Sequence, residues 1–240
     1  MAVIFAIRSI IEFASNMQRR NHPCCEGMEK FFPKSSIVLT GNPVRDILID
    51  SDSDQGEAFS EFGLDPSRDT VFVLGGSLGS ARINSLIAAH LDWFREMGVQ
   101  LLWQCGKIYY DQYKQHDSEA VRVIPFINSM DKAYSLADII ISRAGAGTIS
   151  ELCIVGKPVF LIPSPHVAED HQTKNAEALA AKGAAIMIPE AELEQRFTEE
   201  FKAVYHSGEN RDRLSKNIKA MARPKATEAI VNEIENLLVS

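Results

Sequence analysis

From residue 70 onward, short apolar runs alternate with longer stretches in which apolar residues recur every three or four positions. Short β-branched runs are typical of buried strands, and the longer period is typical of helices. This alternation predicts an α/β fold, a Rossmann-like parallel sheet with helices on both faces. The predicted strands are 71–74, 100–103, 121–124, 139–141, 159–162 and 185–188, and an earlier strand is predicted at 37–39.

The helical periodicity predicts helices between these strands and a helical C-terminal tail after Pro189. Glycines occur where three helices should end, at positions 98, 156 and 183, as expected for residues that must adopt a left-handed backbone conformation. The predicted helices are 82–97, 134–137, 149–155, 172–181, 194–206, 210–221 and 226–238.

The first 25 residues differ in character from the rest and form a separate predicted segment. Their apolar run is too short and too charged to span a bilayer. Five residues share one helical face, so the segment is interpreted either as a helix packed on the domain or a ragged chain start, or as an interfacial helix. These residues are Ile4, Ile7, Ile10, Ile11 and Ala14. We divide the chain into this segment, a ligand-binding domain at 26–222 and a C-terminal helix at 223–240.

Composition narrows the class of protein. The chain has 240 residues, of which 45% are hydrophobic and 24% charged, values typical of a globular domain. A formal net charge of −7 argues against a broad nucleic-acid surface, and we expect no nucleic-acid partner. The cysteines at positions 24, 25, 105 and 153 match no zinc pattern, so we predict free thiols and no bound metal.

The first candidate site is the glycine-rich loop after the strand at 71–74. Glycines at a strand end that opens a helix let backbone N–H groups approach a phosphate. The loop contains Gly75, Gly76, Ser77, Leu78 and Gly79. A tight structural turn is the alternative interpretation. A dinucleotide site is disfavoured, because the next strand ends at residues 103–107 without the carboxylate that would hold a ribose.

A second loop, at 142–151, follows the strand at 139–141. Glu151 lies in position to accept hydrogen bonds from ribose hydroxyls beside a nucleotide. Thr148 and Glu151 also have the spacing of a capping box, in which the carboxylate would be engaged with its own helix. Both interpretations remain open at this point.

Two further polar positions are candidates. Arg45 follows a turn at 41–43, where a guanidinium could neutralise a diphosphate or simply lie on the surface. Gln172 opens a helix for which Asp170 is the predicted N-cap, and its amide suits the reading of sugar hydroxyls. We find no Ser/His/Asp arrangement and no metal-ligand spacing.

Taken together, the motifs at 41–45, 75–82, 142–151 and 170–176 resemble the MurG family of glycosyltransferase family 28. These are the bacterial N-acetylglucosaminyltransferases that make lipid II for peptidoglycan. The resemblance covers roughly residues 26–240 and implies one half of a GT-B fold. It also implies that Arg45 and Ser77 contact a diphosphate, that Ile127 meets uracil through its backbone, and that Gln172 reads the N-acetylglucosamine hydroxyls. The residues implied to line the nucleotide are Ala146, Gly147, Thr148, Ile149, Ser150 and Glu151, with Thr148 near phosphate and Glu151 on the ribose.

The resemblance implies that this chain is the donor-binding half of an inverting transferase specific for UDP-N-acetylglucosamine, with no cofactor. In the family, the C4 hydroxyl of the lipid-linked muramyl sugar attacks the anomeric carbon and UDP leaves. The family's N-terminal half begins with a Gly-Gly-Thr-Gly-Gly-His segment that has no counterpart here, and it supplies the proposed catalytic base and the acceptor site. We therefore expect no activity from the chain alone, and a cytoplasmic protein peripheral to the inner face of the membrane. The alternatives are a donor subunit that needs an acceptor half in trans and, ranked lower, a UDP-N-acetylglucosamine epimerase.

Overall fold

The computed structural model describes residues 37–49, 55–76, 78–167 and 170–239. The predicted segment at 1–25 lies outside the described residues. The strands are β1 (Thr70–Leu74), β2 (Gln100–Gln104), β3 (Val121–Ile124), β4 (Ile139–Ser142), β5 (Val159–Leu161) and β6 (Ile186–Met187).

The helices that precede β4 are short. They are α1 (Asp46–Ile49), α2 (Gln55–Phe62), α3 (Ala81–Ala89), α4 (Leu91–Glu96), α5 (Tyr110–Tyr113) and α6 (Met130–Leu136). The later helices are α7 (Ala146–Val155), α8 (His171–Ala180), α9 (Leu193–Tyr205), α10 (Gly208–Lys219) and α11 (Ala226–Val239). Single 3₁₀ turns occupy Lys107–Tyr109, Lys114–His116 and Glu190–Glu192.

All strand pairs are parallel, and the strand order is β3-β2-β1-β4-β5-β6. The order reverses between β1 and β4, so the loops after these two strands diverge to opposite sides of one crevice. The six predicted strands and the Rossmann-like sheet are confirmed. In open α/β sheets this crevice is where ligands bind.

The sheet separates two apolar cores because successive strand side chains point to opposite faces. In β1, Phe72 and Leu74 belong to the cluster beneath α2, α6, α7 and α8, whereas Val71 and Val73 belong to the cluster beneath α3, α4 and α9. Burial on both faces explains why the strands are almost continuously apolar.

Two predicted elements are wrong. Residues 37–39 form no strand: the N–H of Thr40 donates to the Val38 carbonyl at 3.1 Å, and Val38 and Leu39 are 43% and 38% exposed. The predicted helix at 82–97 is divided into α3 and α4 at His90, whose backbone leaves the helical region (φ −114°, ψ 13°).

Several local predictions are confirmed. The helix-ending glycines at 98, 156 and 183 have φ values of +73°, +71° and +61°. Cys105 and Cys153 are buried, and burial raises the pKa of Cys105. The other two cysteines lie outside the described residues. No helix among the described residues is long and apolar enough to cross a membrane.

Candidate functional site

The carboxyl ends of the strands meet at one edge of the sheet, and Gln104 joins two of the loops there. Its side chain is 2% exposed at the end of β2. The amide oxygen accepts a hydrogen bond from the Ile127 N–H at 2.8 Å, and the amide nitrogen donates to the Gly76 carbonyl at 3.2 Å. Gln104 thus ties the loop after β1 to the loop after β3. Sequence reasoning missed this role, although a polar residue ending an apolar strand was a usable signal.

The glycines of the first loop are required for two different reasons. A Cβ on Gly75 would lie 2.6 Å from the Ser80 nitrogen, and a Cβ on Gly79 would lie 2.2 Å from the Cys105 carbonyl oxygen. Gly76 has φ +87°, and a Cβ at this position would have no atom within 4 Å. Gly75 and Gly79 therefore serve backbone packing, and Gly76 presents an open backbone face. Ser77 lies outside the described residues.

Two N–H groups around the start of α3 have acceptors within the protein. The Gly79 N–H donates to the Gly76 carbonyl at 3.1 Å, and the Ser80 hydroxyl accepts from the Ile83 N–H at 3.2 Å. Leu78, next to this cap, is 73% exposed. The start of α3 is therefore capped by a side chain, that of its N-cap residue Ser80.

The second loop presents a different helix start. Helix α7 begins at Ala146, one residue after its N-cap Gly145, which has no side chain to cap the helix. No described residue accepts a hydrogen bond from the N–H of Ala146, Gly147 or Thr148. Three backbone donors at the positive end of a helix dipole are suited to a phosphate.

The capping-box interpretation of Glu151 is wrong, because Thr148 lies inside the helix rather than at its N-cap. The Glu151 carboxylate is instead held from outside α7. Its Oε2 accepts a hydrogen bond from the Tyr134 hydroxyl at 3.1 Å, and its Oε1 lies 3.3 Å from Nε of Arg45. The structure thereby brings two predicted site residues, Arg45 and Glu151, into one ion pair.

Helix α7 divides the predicted nucleotide-lining residues between two faces, because consecutive helical residues are about 100° apart. Gly147, Thr148 and Glu151 lie on the face toward Arg45. The opposite face lines a cavity of about 420 Å³. The α7 residues on that cavity are Ala146, Ile149, Ser150 and Cys153.

Asn42 anchors this second face. Its amide nitrogen lies 3.3 Å from the Ala146 carbonyl oxygen and 3.0 Å from the Ser150 hydroxyl. The Ser150 hydroxyl also donates to the Ala146 carbonyl at 3.0 Å. The polar groups of Ser150 therefore hold the chain before α1 against α7.

Gln172 lies at the start of α8, and its amide oxygen accepts from the Ser164 N–H at 3.0 Å. This bond holds the loop after β5 against the helix and leaves the amide nitrogen as the end suited to donating. Asp170 is the N-cap residue, as predicted, but its carboxylate accepts from the Thr173 hydroxyl at 2.6 Å instead of from a backbone N–H.

Several cations near this edge are paired with carboxylates. Nη1 of Arg143 lies 2.5 Å from Oε1 of Glu190, and both side chains are mostly buried. The same nitrogen donates to the Ile162 carbonyl. Nη2 of Arg82 lies 2.5 Å from Oε1 of Glu194, and this contact lowers the pKa of Glu194. In the part of the chain that the structure describes, no group of three or more His, Cys, Asp or Glu side chains is arranged for a metal ion.

Residues 70–230 match the model of the glycosyltransferase family 28 C-terminal domain. The chain belongs to glycosyltransferase family 28. The predicted family resemblance is therefore confirmed, and the chain corresponds to the C-terminal domain of this family.

Curated family 28 relatives named UDP-N-acetylglucosamine–N-acetylmuramyl-(pentapeptide) pyrophosphoryl-undecaprenol N-acetylglucosamine transferase are similar over most of this chain. The protein from Flavobacterium psychrophilum is 50% identical over 216 residues, which is 90% of this chain and 59% of the relative. The protein from Christiangramia forsetii is 51% identical, covering 89% of this chain and 58% of the relative. The chain thus spans a little under three fifths of the length of these relatives.

Two solved structures share the fold of this chain. MurG from Acinetobacter baumannii superimposes with a TM-score of 0.65 at 27% identity, over 80% of this chain and 55% of that one. The UDP-GlcNAc 2-epimerase from Neisseria meningitidis, solved with UDP-GlcNAc, gives a TM-score of 0.60 at 16% identity, over 87% and 57%. At that identity the second similarity shows the fold alone.

Proposed function

We propose that this chain is the part of a MurG-like N-acetylglucosaminyltransferase that binds the UDP-N-acetylglucosamine donor. The observation that carries the proposal is helix α7. Its uncapped N–H groups suit a diphosphate, and the Glu151 carboxylate one turn further suits a ribose on the same rigid element. The name of these relatives supplies the identity of the donor.

The remaining roles combine the family resemblance, on which the role of Ser77 rests alone, with the contacts of the other residues at this edge. Arg45 and Ser77 bind the diphosphate, for which Arg45 must exchange part of its pairing with Glu151. Because the Ile127 N–H is engaged by Gln104, we assign the uracil contact to the Ile127 carbonyl. We assign the sugar hydroxyls to the Gln172 amide nitrogen, because its oxygen is engaged by Ser164. Charge on the departing UDP would be stabilised by the α7 N-terminus and Arg45.

We assign no residue of this chain to the sugar acceptor. The relatives' name specifies a lipid-linked muramyl acceptor, and the relatives are longer than this chain. We propose that the acceptor and the catalytic base belong to sequence corresponding to the rest of those relatives, and that the assembled enzyme works peripherally at the cytoplasmic membrane face. We also propose that residues 26–222 form the donor-binding unit and 223–240 the C-terminal helix.

Calorimetric titration of the full chain tests donor binding. We expect UDP to bind more tightly than UMP, because the second phosphate adds hydrogen bonds at α7. Glu151→Gln should weaken UDP binding about tenfold, since it removes a charged acceptor. Glu228→Gln, at an exposed position on α11, is the matched control and should leave UDP affinity unchanged. Absence of UDP binding at millimolar concentration would overturn the proposal.

Sugar transfer is tested separately. The isolated chain should transfer no N-acetylglucosamine to lipid I, and mixing it with the N-terminal part of the Flavobacterium psychrophilum relative should restore transfer. Robust turnover by the chain alone would contradict the assignment of the acceptor site. Conversion of UDP-N-acetylglucosamine to its C2 epimer would instead favour an epimerase.

A further inference from the structure

Tyr134 lies in the core beneath the candidate site, where sequence reasoning assigned it no role. It belongs to α6 and is 2% exposed. Its ring packs edge-on against Phe72 of β1 with centroids 5.5 Å apart. The hydroxyl is therefore carried on a ring whose position is determined by packing between α6 and the sheet.

The hydroxyl of Tyr134 donates to Oε2 of Glu151 at 3.1 Å. Burial, and then the negative charge of Glu151, raise the pKa of Tyr134 well above its usual value. The phenol therefore stays protonated at neutral pH and remains a hydrogen-bond donor. Because Glu151 is itself 14% exposed at its side chain, it is reachable from the surface while being held from below.

The two partners of the Glu151 carboxylate differ in how firmly they are held. Arg45 is half exposed on a long side chain, so it can move when a ligand arrives. Tyr134 is buried and cannot move without disturbing the core. Each carboxylate oxygen has two lone pairs, so the bond from Tyr134 leaves capacity for further donors.

We propose that Tyr134 is a positioning residue whose hydroxyl orients the Glu151 carboxylate to accept hydrogen bonds from the hydroxyls of a nucleotide ribose. The inference rests on the proposed function, because it requires the ligand to be a ribonucleotide. Tyr134 does not touch the ligand. It acts by restricting Glu151 to one rotamer before binding, so that less conformational entropy is lost when the ribose arrives.

The test is discrimination between UDP and 2′-deoxy-UDP by the full chain, measured by calorimetry. Tyr134→Phe removes the hydroxyl and keeps the ring. We expect this variant to bind UDP about tenfold more weakly and 2′-deoxy-UDP with little change, so that the preference for ribose shrinks. A general loosening of the fold would weaken the binding of both ligands equally, and that result would overturn the inference. Unchanged UDP binding by Tyr134→Phe would overturn it as well.

Two further variants keep the test decisive. Tyr113→Phe removes the hydroxyl of another buried tyrosine, whose ring packs on Trp103 and whose hydroxyl accepts from the Gln112 amide. This variant should leave the discrimination between UDP and 2′-deoxy-UDP unchanged. Glu151→Asp keeps the charge but withdraws it from both Tyr134 and the ribose, so it should reduce discrimination and reports whether Glu151 contacts the ribose at all. If the unaltered chain binds no UDP, the proposed function fails. If it binds UDP with a ribose preference that Glu151→Asp reduces and Tyr134→Phe does not, this inference alone fails.

Discussion

The loops after β1 and β4 have similar glycine-rich sequences but are held in place by different contacts. In the first loop, Gly75 and Gly79 permit backbone atoms to pack at distances that a side chain would prevent. In the second, Gly145 and Gly147 have room for a Cβ, and polar side chains connect the loop to other segments. These are Asn42 on Ala146, Asn175 on Ala144, and Arg143 on Ile162.

This difference shows that glycine content has more than one physical cause. Where glycine serves packing, as at Gly79, substitution should damage the fold. Where glycine leaves a face open, as at Gly76, substitution should damage binding more than folding. The following predictions test that division, and denaturant unfolding measures each change in stability.

The largest effect is expected for Gly79→Ala. The new Cβ would lie 2.2 Å from the Cys105 carbonyl oxygen at φ +82°, so both a steric overlap and an unfavourable backbone conformation arise. We expect a loss of about 4 kcal/mol or more, or failure to fold. Gly98→Ala is the matched control, with φ +73° and open space, and should cost about 1–2 kcal/mol. Equal costs for the two variants would contradict the packing argument.

The next effect concerns the side chains that hold the second loop. Asn175 is 3% exposed and donates to the Ala144 carbonyl at 3.0 Å. Asn175→Ala leaves that carbonyl unsatisfied and should cost about 1–3 kcal/mol. Asn210→Ala removes the same type of bond, to the Ala203 carbonyl, at an exposed site and should cost about 0.5 kcal/mol. A negligible cost at Asn175 would show that the loop is held by other contacts.

Gly76→Ala should affect binding more than stability. A Cβ meets no atom within 4 Å, so the expected cost is the backbone conformation alone, about 1–2 kcal/mol. If the diphosphate approaches the open face, UDP affinity should fall about tenfold or more. Gly98→Ala is again the control for the cost of placing alanine at positive φ, and it should bind UDP normally. Normal UDP affinity in Gly76→Ala would remove this loop from the proposed site.

The smallest effect is expected for Gly147→Ala. Gly147 lies in the first turn of α7 in a helical conformation, and a Cβ at this position would have no atom within 4 Å. Alanine should raise stability by about 0.5 kcal/mol, because it restricts the unfolded chain. A loss of stability would mean that glycine is required in the second loop for packing, as it is in the first.

Much of the fold could be predicted because strand and helix periodicity are local properties of the chain. The six strands, the helices after β6 and the helix-ending glycines all follow from spacing along the sequence. The errors arose where contacts distant in sequence decide the outcome. Residues 37–39 have the composition of a strand but pair with no sheet edge, and the break at His90 has no glycine or proline to mark it.

The candidate site was predictable in its membership and less so in its contacts. Residue spacing singled out Glu151 but could not separate a helix cap from a ligand contact. The ion pair with Arg45 joins residues 106 positions apart, and the support from Tyr134 comes from another helix. The bridge made by Gln104 likewise depends on β2 lying between β1 and β3.

The pattern of residues along this chain was enough to establish a parallel α/β sheet, two glycine-rich loops at strand ends and a family resemblance, because each depends on local periodicity or short motifs. Folding established which glycines pack and which face open space, which helix start has a side-chain cap, and which side chains contact Glu151. Those properties depend on distances between segments far apart in sequence, and such distances exist only once the sheet has brought the strand ends together.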